Sequence, residues 1–109
     1  MQDSDISSGE WHNLISIEDL YQHDVTPALL NNLQLAVYDT KNGITVSEAK
    51  CTHAGASLCD GYFDGNNIEC PLHQGLFDAT TGAAKAAPVT RALVMYESRV
   101  VNGIVQIKL

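Results

Sequence analysis

Cys51-Thr52-His53-Ala54-Gly55 and, after a spacer of sixteen residues between His53 and Cys70, Cys70-Pro71-Leu72-His73-Gln74-Gly75 are the stretches from which the rest of this chain can be read. Each supplies one Cys and one His, two positions apart in the first and three apart in the second. Thiolates suit iron–sulfur centres and zinc, and imidazole suits zinc and iron, so four such side chains can surround one metal centre. A mononuclear zinc finger usually draws its two Cys from one knuckle and its two His from another. Here each loop offers one of each, and that order favours iron.

The pattern widens outward from the two loops. Leu58-Cys59-Asp60-Gly61-Tyr62 follows the first, Ile68-Glu69 leads into the second, and Phe77-Asp78 is followed by Thr81-Gly82. Together these segments resemble the Rieske 2Fe-2S ferredoxin component of bacterial aromatic-ring-hydroxylating dioxygenase systems. The resemblance is good over roughly residues 33 to 109 and poor over the first thirty. It implies one 2Fe-2S cluster per chain, with Cys51 and Cys70 on one iron and His53 and His73 on the other. It further implies that backbone amides around Gly55, Gln74 and Gly75 donate to the cluster sulfurs, where glycine permits close approach. Pro88, in Ala86-Ala87-Pro88-Val89, matches the proline-containing loop that shields the cluster in that family.

The same resemblance implies a one-electron carrier, itself no catalyst. It would be loaded by a flavin-containing, NAD(P)H-dependent reductase and would deliver to a terminal oxygenase, with His53 and His73 as the electron's exit. A small Rieske-fold subunit of a larger reductase, such as nitrite reductase, is the alternative. An oxygenase needs a further iron on two His and one carboxylate. Once His53 and His73 are used, only His12 and His23 remain for it.

Charge counting gives the expected redox behaviour. Two ferric ions, two sulfides and two thiolates sum to about zero, and neutral imidazoles leave that unchanged, so an electron is easier to add than to an all-thiolate centre. High-potential members of the family carry an extra Cys in each loop and Ser and Tyr hydroxyls beside the cluster. The matching positions hold Ala56, Leu72, Gly75 and Phe77, which can supply neither the disulfide nor the donors. A potential in the lower part of the Rieske range follows.

A chain of 109 residues is expected to make one domain, with residues 1–9 mobile and a cluster-binding lobe over about 48–84. Six basic against thirteen acidic side chains leave a net charge of −7, which disfavours nucleic acid and suits a basic face on a protein partner. Three cysteines with two assigned to metal leave Cys59 without a disulfide partner, as in a reducing compartment. No apolar run approaches a membrane span, and the acidic start is unlike a signal peptide. A cytoplasmic monomer is the expectation.

Two-residue periodicity reads as an all-β fold: a small antiparallel barrel or sandwich, closed by its terminal strands, with the cluster lobe inserted. Trp11–Ile15 is the first expected strand, and Ser16 should cap one helical turn after it. Leu33, Leu35 and Val37 alternate with Gln34, Ala36 and Tyr38 before Asn42-Gly43, a tight-turn signal. Ile44 and Val46 follow on one face. Short strands are expected at Tyr62–Asp64, Ile68–Cys70 and Leu76–Asp78. Ala92–Val101 and Ile104–Leu109 flank Asn102-Gly103, with Val105, Ile107 and Leu109 pointing inward. The remaining candidates read as structural: His12 and His23 as surface histidines, Cys59 as a small packed side chain, and Trp11, Tyr38, Tyr62, Phe63, Phe77 and Tyr96 as packing. Asp60, Asp64 and Glu69 give the lobe a negative cast.

Overall fold

The computed structural model describes residues 9–21, 24–51, 56–71, 75–87 and 91–109. These form three antiparallel sheets. Strands β1 (Trp11–Ser16), β10 (Ser98–Val101) and β11 (Ile104–Lys108) make one sheet in the order β1-β11-β10. Strands β2 (Thr26–Leu30), β3 (Leu33–Thr40), β4 (Gly43–Glu48) and β9 (Met95–Tyr96) make a second, in that order. Between β4 and β9 the chain builds a third sheet from β5 (Tyr62–Phe63), β6 (Asn67–Glu69), β7 (Leu76–Asp78) and β8 (Ala84–Ala86). The first and last strands pair, Trp11 opposite Lys108, which closes the base as the sequence suggests.

Local chemistry sets the turns. Asn102 and Gly103 have φ of 51° and 79° and link Val101 to its partner Ile104. Asn31 and Asn32, at 50° and 73°, do the same between Leu30 and Leu33. Asparagine tolerates this left-handed region, and two such residues give the twist an antiparallel hairpin requires. In the Asn42-Gly43 hairpin the positive angle falls on Gly43 alone, which pairs with Thr40. Ser16 ends β1 and its hydroxyl accepts from the Glu18 amide at 3.2 Å, starting the single 3-10 turn Ile17–Asp19.

Strand β3 departs from simple alternation, because residues 35 to 38 are all buried. Leu35 and Val37 pack with Val46, Val105 and Ile107 between the two base sheets. Ala36 and Tyr38, on the opposite face, join Leu58, Phe63, Ile68, Phe77, Cys51 and Cys70 in a second core. One strand therefore forms the shared wall of base and lobe. At about 1.5–3 kcal/mol per fully buried large apolar side chain, both faces of β3 hold it in place.

Two expectations are corrected at the C-terminal end. Ala92–Val101 is not one strand: Met95 pairs with Ser47 in the second sheet, whereas Ser98 pairs with Ile107 in the first. The chain changes sheets at Glu97, whose carbonyl accepts from the Lys108 amide at 3.0 Å. Leu109 lies past the end of β11 and is 42% exposed, so only Val105 and Ile107 of that trio are core. Strands β2 and β8 go beyond those expected. Pro27 removes an amide donor from β2, which is an edge strand, and Ala-Lys-Ala gives β8 little β signal.

The lobe lies along β3 and β4. The Thr45 hydroxyl donates to the Ala79 carbonyl at 2.6 Å, and the Leu93 amide donates to that of Gly82 at 2.8 Å. Tyr38 meets Phe63 with ring centroids 5.5 Å apart.

Candidate metal centre

The two cysteine loops share one local design. After β4 the Ala49 amide donates to the Gln34 carbonyl at 3.0 Å, Lys50 bridges to Ser57, and the Cys51 amide donates to the Ala56 carbonyl at 2.8 Å. After β6 the Cys70 amide donates to the Gly75 carbonyl at 2.7 Å, and β7 begins at the next residue. In each case the cysteine opens a loop that a bond to the carbonyl five residues later closes. Both loops rise from strand ends, so the second sheet, through β4, sets where Cys51 starts and the lobe sheet, through β6, sets where Cys70 starts.

Cys51 and Cys70 are buried, 3% and 1% exposed, within the same apolar core, and neither forms a disulfide. A thiolate buried among Leu58, Ile68 and Phe77 is costly unless a cation compensates it. A metal supplies that compensation, so the donor chemistry fits an iron–sulfur group. His53, His73, Gly55, Gln74 and Pro88 lie outside the described residues, as does His23. Gly75 is buried, and its carbonyl closes the second loop.

The other candidates are placed as follows. Cys59 is half-buried beside Pro27, Leu35 and Ala49 in a groove of about 320 Å³. Its sulfur lies 4.0 Å from the Leu35 carbonyl, and burial pushes its thiol above the ordinary value. That is packing, as expected. Asp64 accepts from the Asn67 and Asn66 amides at 2.8 and 2.9 Å, bonds that hold its carboxyl below the usual range. Its charge is used in shaping the β5–β6 turn. His12 sits on β1 opposite Ile107, in the terminal-strand sheet. Trp11 stacks under the Arg99 guanidinium, 4.0 Å from the ring centroid. Tyr62 corrects the packing expectation: it is 67% exposed, on the outer face of a two-residue strand.

Sequence reasoning underrated Tyr38. Its hydroxyl lies 2.9 Å from that of Ser47, which donates to the Glu48 carbonyl at 2.8 Å. Ser47 has one proton, so the Tyr38 hydroxyl is the donor between them. The sole sequence signal was its place on the face of β3 opposite Leu35 and Val37.

Comparison with known proteins adds to this geometry. The family model described as "Rieske [2Fe-2S] domain" matches residues 10–97. The chain belongs to that family. A Rieske domain carries one 2Fe-2S cluster, and this one has its two cysteines buried at the base of matched loops. It is 38% identical over 100 residues to the ferredoxin component of the naphthalene 1,2-dioxygenase system of Pseudomonas putida, covering 92% of this chain and 96% of that one. Among solved structures, the Sphingomonas yanoikuyae B1 ferredoxin superposes with a TM-score of 0.85 at 35% identity, over 92% of this chain and 99% of that one. A ferredoxin chain from a complex of reduced oxygenase and oxidized ferredoxin in carbazole 1,9a-dioxygenase gives 0.80 at 32% identity, over 90% and 92%.

Proposed function

We infer that this Rieske domain is the ferredoxin of an aromatic-ring dioxygenase system, carrying single electrons to a terminal oxygenase. The observation that carries the reading is the pair of buried cysteines, each opening a loop closed by the same backbone bond. Similarity to dioxygenase ferredoxin components over nearly the whole chain supports it, as does similarity to a ferredoxin found in complex with an oxygenase. Cys51 and Cys70 would hold one iron of the cluster, and His53 and His73 the other. When bound, the cluster supplies one reversible electron.

The chain's own residues provide the setting. Leu58, Ile68 and Phe77 exclude water behind the cysteines. The amides around Gly55, Gln74 and Gly75 are assigned to the cluster sulfurs and Pro88 to its cover. The relatives it matches are ferredoxin components of dioxygenase systems, so in this reading the chain is the carrier and the oxygenase the catalyst. A flavin-containing NAD(P)H reductase is the donor in this reading. Encounters with both partners are brief, as a carrier requires, and a monomer with acidic charge suits them. Three cysteines outside disulfides suit the reducing cytoplasm.

Electron paramagnetic resonance of the dithionite-reduced protein tests the centre, and reconstitution tests the role. A Rieske-type signal, together with oxygenase turnover that depends on the chain when reductase and NAD(P)H are present, is expected. Colourless protein holding zinc and no acid-labile sulfide would overturn the reading.

A further inference from the structure

The two cysteines are tied to one another through backbone contacts, and Gly61 is the narrowest link. On the first-loop side the Lys50–Ser57 bridge and the Leu58 amide, donating to the Ala49 carbonyl at 2.6 Å, anchor the spacer. The Ser57 hydroxyl then accepts from the Cys59 amide at 3.2 Å, starting the 3-10 turn Leu58–Asp60. The Gly61 amide closes that turn on the Leu58 carbonyl at 3.0 Å. On the second-loop side Tyr62 pairs with Glu69 and Phe63 with Ile68, so the antiparallel register sets Gly61 opposite Cys70.

Gly61 is there for space. Its φ of −87° is open to any residue, so no left-handed backbone calls for glycine. A Cβ at Gly61 would instead overlap the Glu69 carbonyl oxygen and come within 3.2 Å of the Leu58 carbonyl. Both are backbone atoms and cannot swing aside. Glu69 immediately precedes Cys70, so displacing its carbonyl displaces the start of the second loop. Because the other end of the tie is fixed at Ala49 and Lys50, next to Cys51, added bulk must widen the gap between the two loops.

We propose that Gly61 is a positioning residue that sets the separation of the Cys51 and Cys70 loops, and through it the geometry and retention of the iron–sulfur group. The proposal rests on the Rieske ferredoxin reading above, and the experiment separates the two. Full-length parent, Gly61→Ala and Val105→Ala are reduced and compared by electron paramagnetic resonance, and iron is removed with graded chelator. Val105 is buried in the base core, away from the lobe, and controls for lowered stability alone.

The expected result is a shift of the g-values in Gly61→Ala and about a tenfold lower chelator midpoint, the scale found when support behind metal ligands is disturbed. Val105→Ala should melt earlier with parental g-values. Folded Gly61→Ala with the parental g-values overturns the proposal. If Gly61→Ala does not fold, Ser57→Ala, which removes the cap of the same turn without adding bulk, decides: shifted g-values support it and parental ones overturn it. A parent without any Rieske signal would instead overturn the functional reading.

Discussion

The Tyr38 hydroxyl reaches Ser47 at 2.9 Å inside the wall that the base shares with the cluster lobe. Both residues are 0% exposed, and the Tyr38 ring also meets Phe63 of the lobe. The pair joins β3 to β4 at the level where the lobe packs on them. It is a buried polar link with every proton accounted for, and so it is open to a directional test.

Removing either partner should cost stability unequally. Tyr38→Phe keeps the ring and leaves Ser47 bonded to the Glu48 carbonyl, so a loss of about 1 kcal/mol is expected. Ser47→Ala strands the buried phenol without its acceptor and should cost more, about 1–3 kcal/mol. Urea unfolding of the two variants checks the order. Equal losses would mean that the hydroxyl finds another acceptor.

Alkaline stability should depend on the same side chain. Burial pushes the Tyr38 phenol well above its ordinary value, with the Ser47 bond opposing. The native chain thus keeps a proton that the unfolded chain gives up near pH 10. The stabilisation is complete below that pH and is lost as pH rises towards the raised native value. Tyr96, also raised by burial and by Glu48, acts in the same direction. Melting temperatures above pH 10 should fall less steeply in Tyr38→Phe than in the parent.

The three cysteines should divide two to one. Cys51→Ala or Cys70→Ala is expected to abolish acid-labile sulfide and visible colour. Cys59→Ser should retain the full iron and sulfide content, because its thiol is spent on packing near Leu35 and Ala49. Iron and sulfide assays on the purified variants decide this.

The reduction potential should lie low in the range of roughly −150 to +300 mV known for Rieske centres. Gly75 offers no side-chain donor, and Phe77 presents a fully buried apolar ring where high-potential relatives have a phenol. His73→Cys adds negative charge and should lower the potential further if the cluster survives. Protein-film voltammetry measures both. A strongly positive parental value, or no change in the variant, would contradict these assignments.

The Asn102-Gly103 turn provides a test of the base alone. Asn102 has φ of 51°, where an alanine Cβ is crowded by the backbone, so Asn102→Ala should cost about 1 kcal/mol. Asn102→Gly should be close to neutral. Thermal unfolding of the two variants distinguishes backbone strain from loss of the asparagine side chain.

Much of this was legible in the chain itself. The pattern of proposed ligands is local, four side chains within twenty-three residues, and the family it pointed to is the one the chain belongs to. Equally local are the Ser16 cap and the Asn102-Gly103 hairpin, which need only their own neighbours. Strand β8 and the sheet change at Glu97 were not legible. Ala84-Lys85-Ala86 has no β preference and pairs because β7 lies beside it. Glu97 divides one apolar run because two different sheets offer edges on either side of it.

Residue order alone thus determined the type of metal chemistry, the all-β class and most turns, because each rests on short-range covalent spacing and backbone preference. Tertiary structure alone decided which face of β3 met which core, how Tyr38 found Ser47, and why Gly61 must lack a side chain. Those outcomes depend on surfaces brought together from distant parts of the chain, and close packing leaves no room that the sequence could have announced in advance.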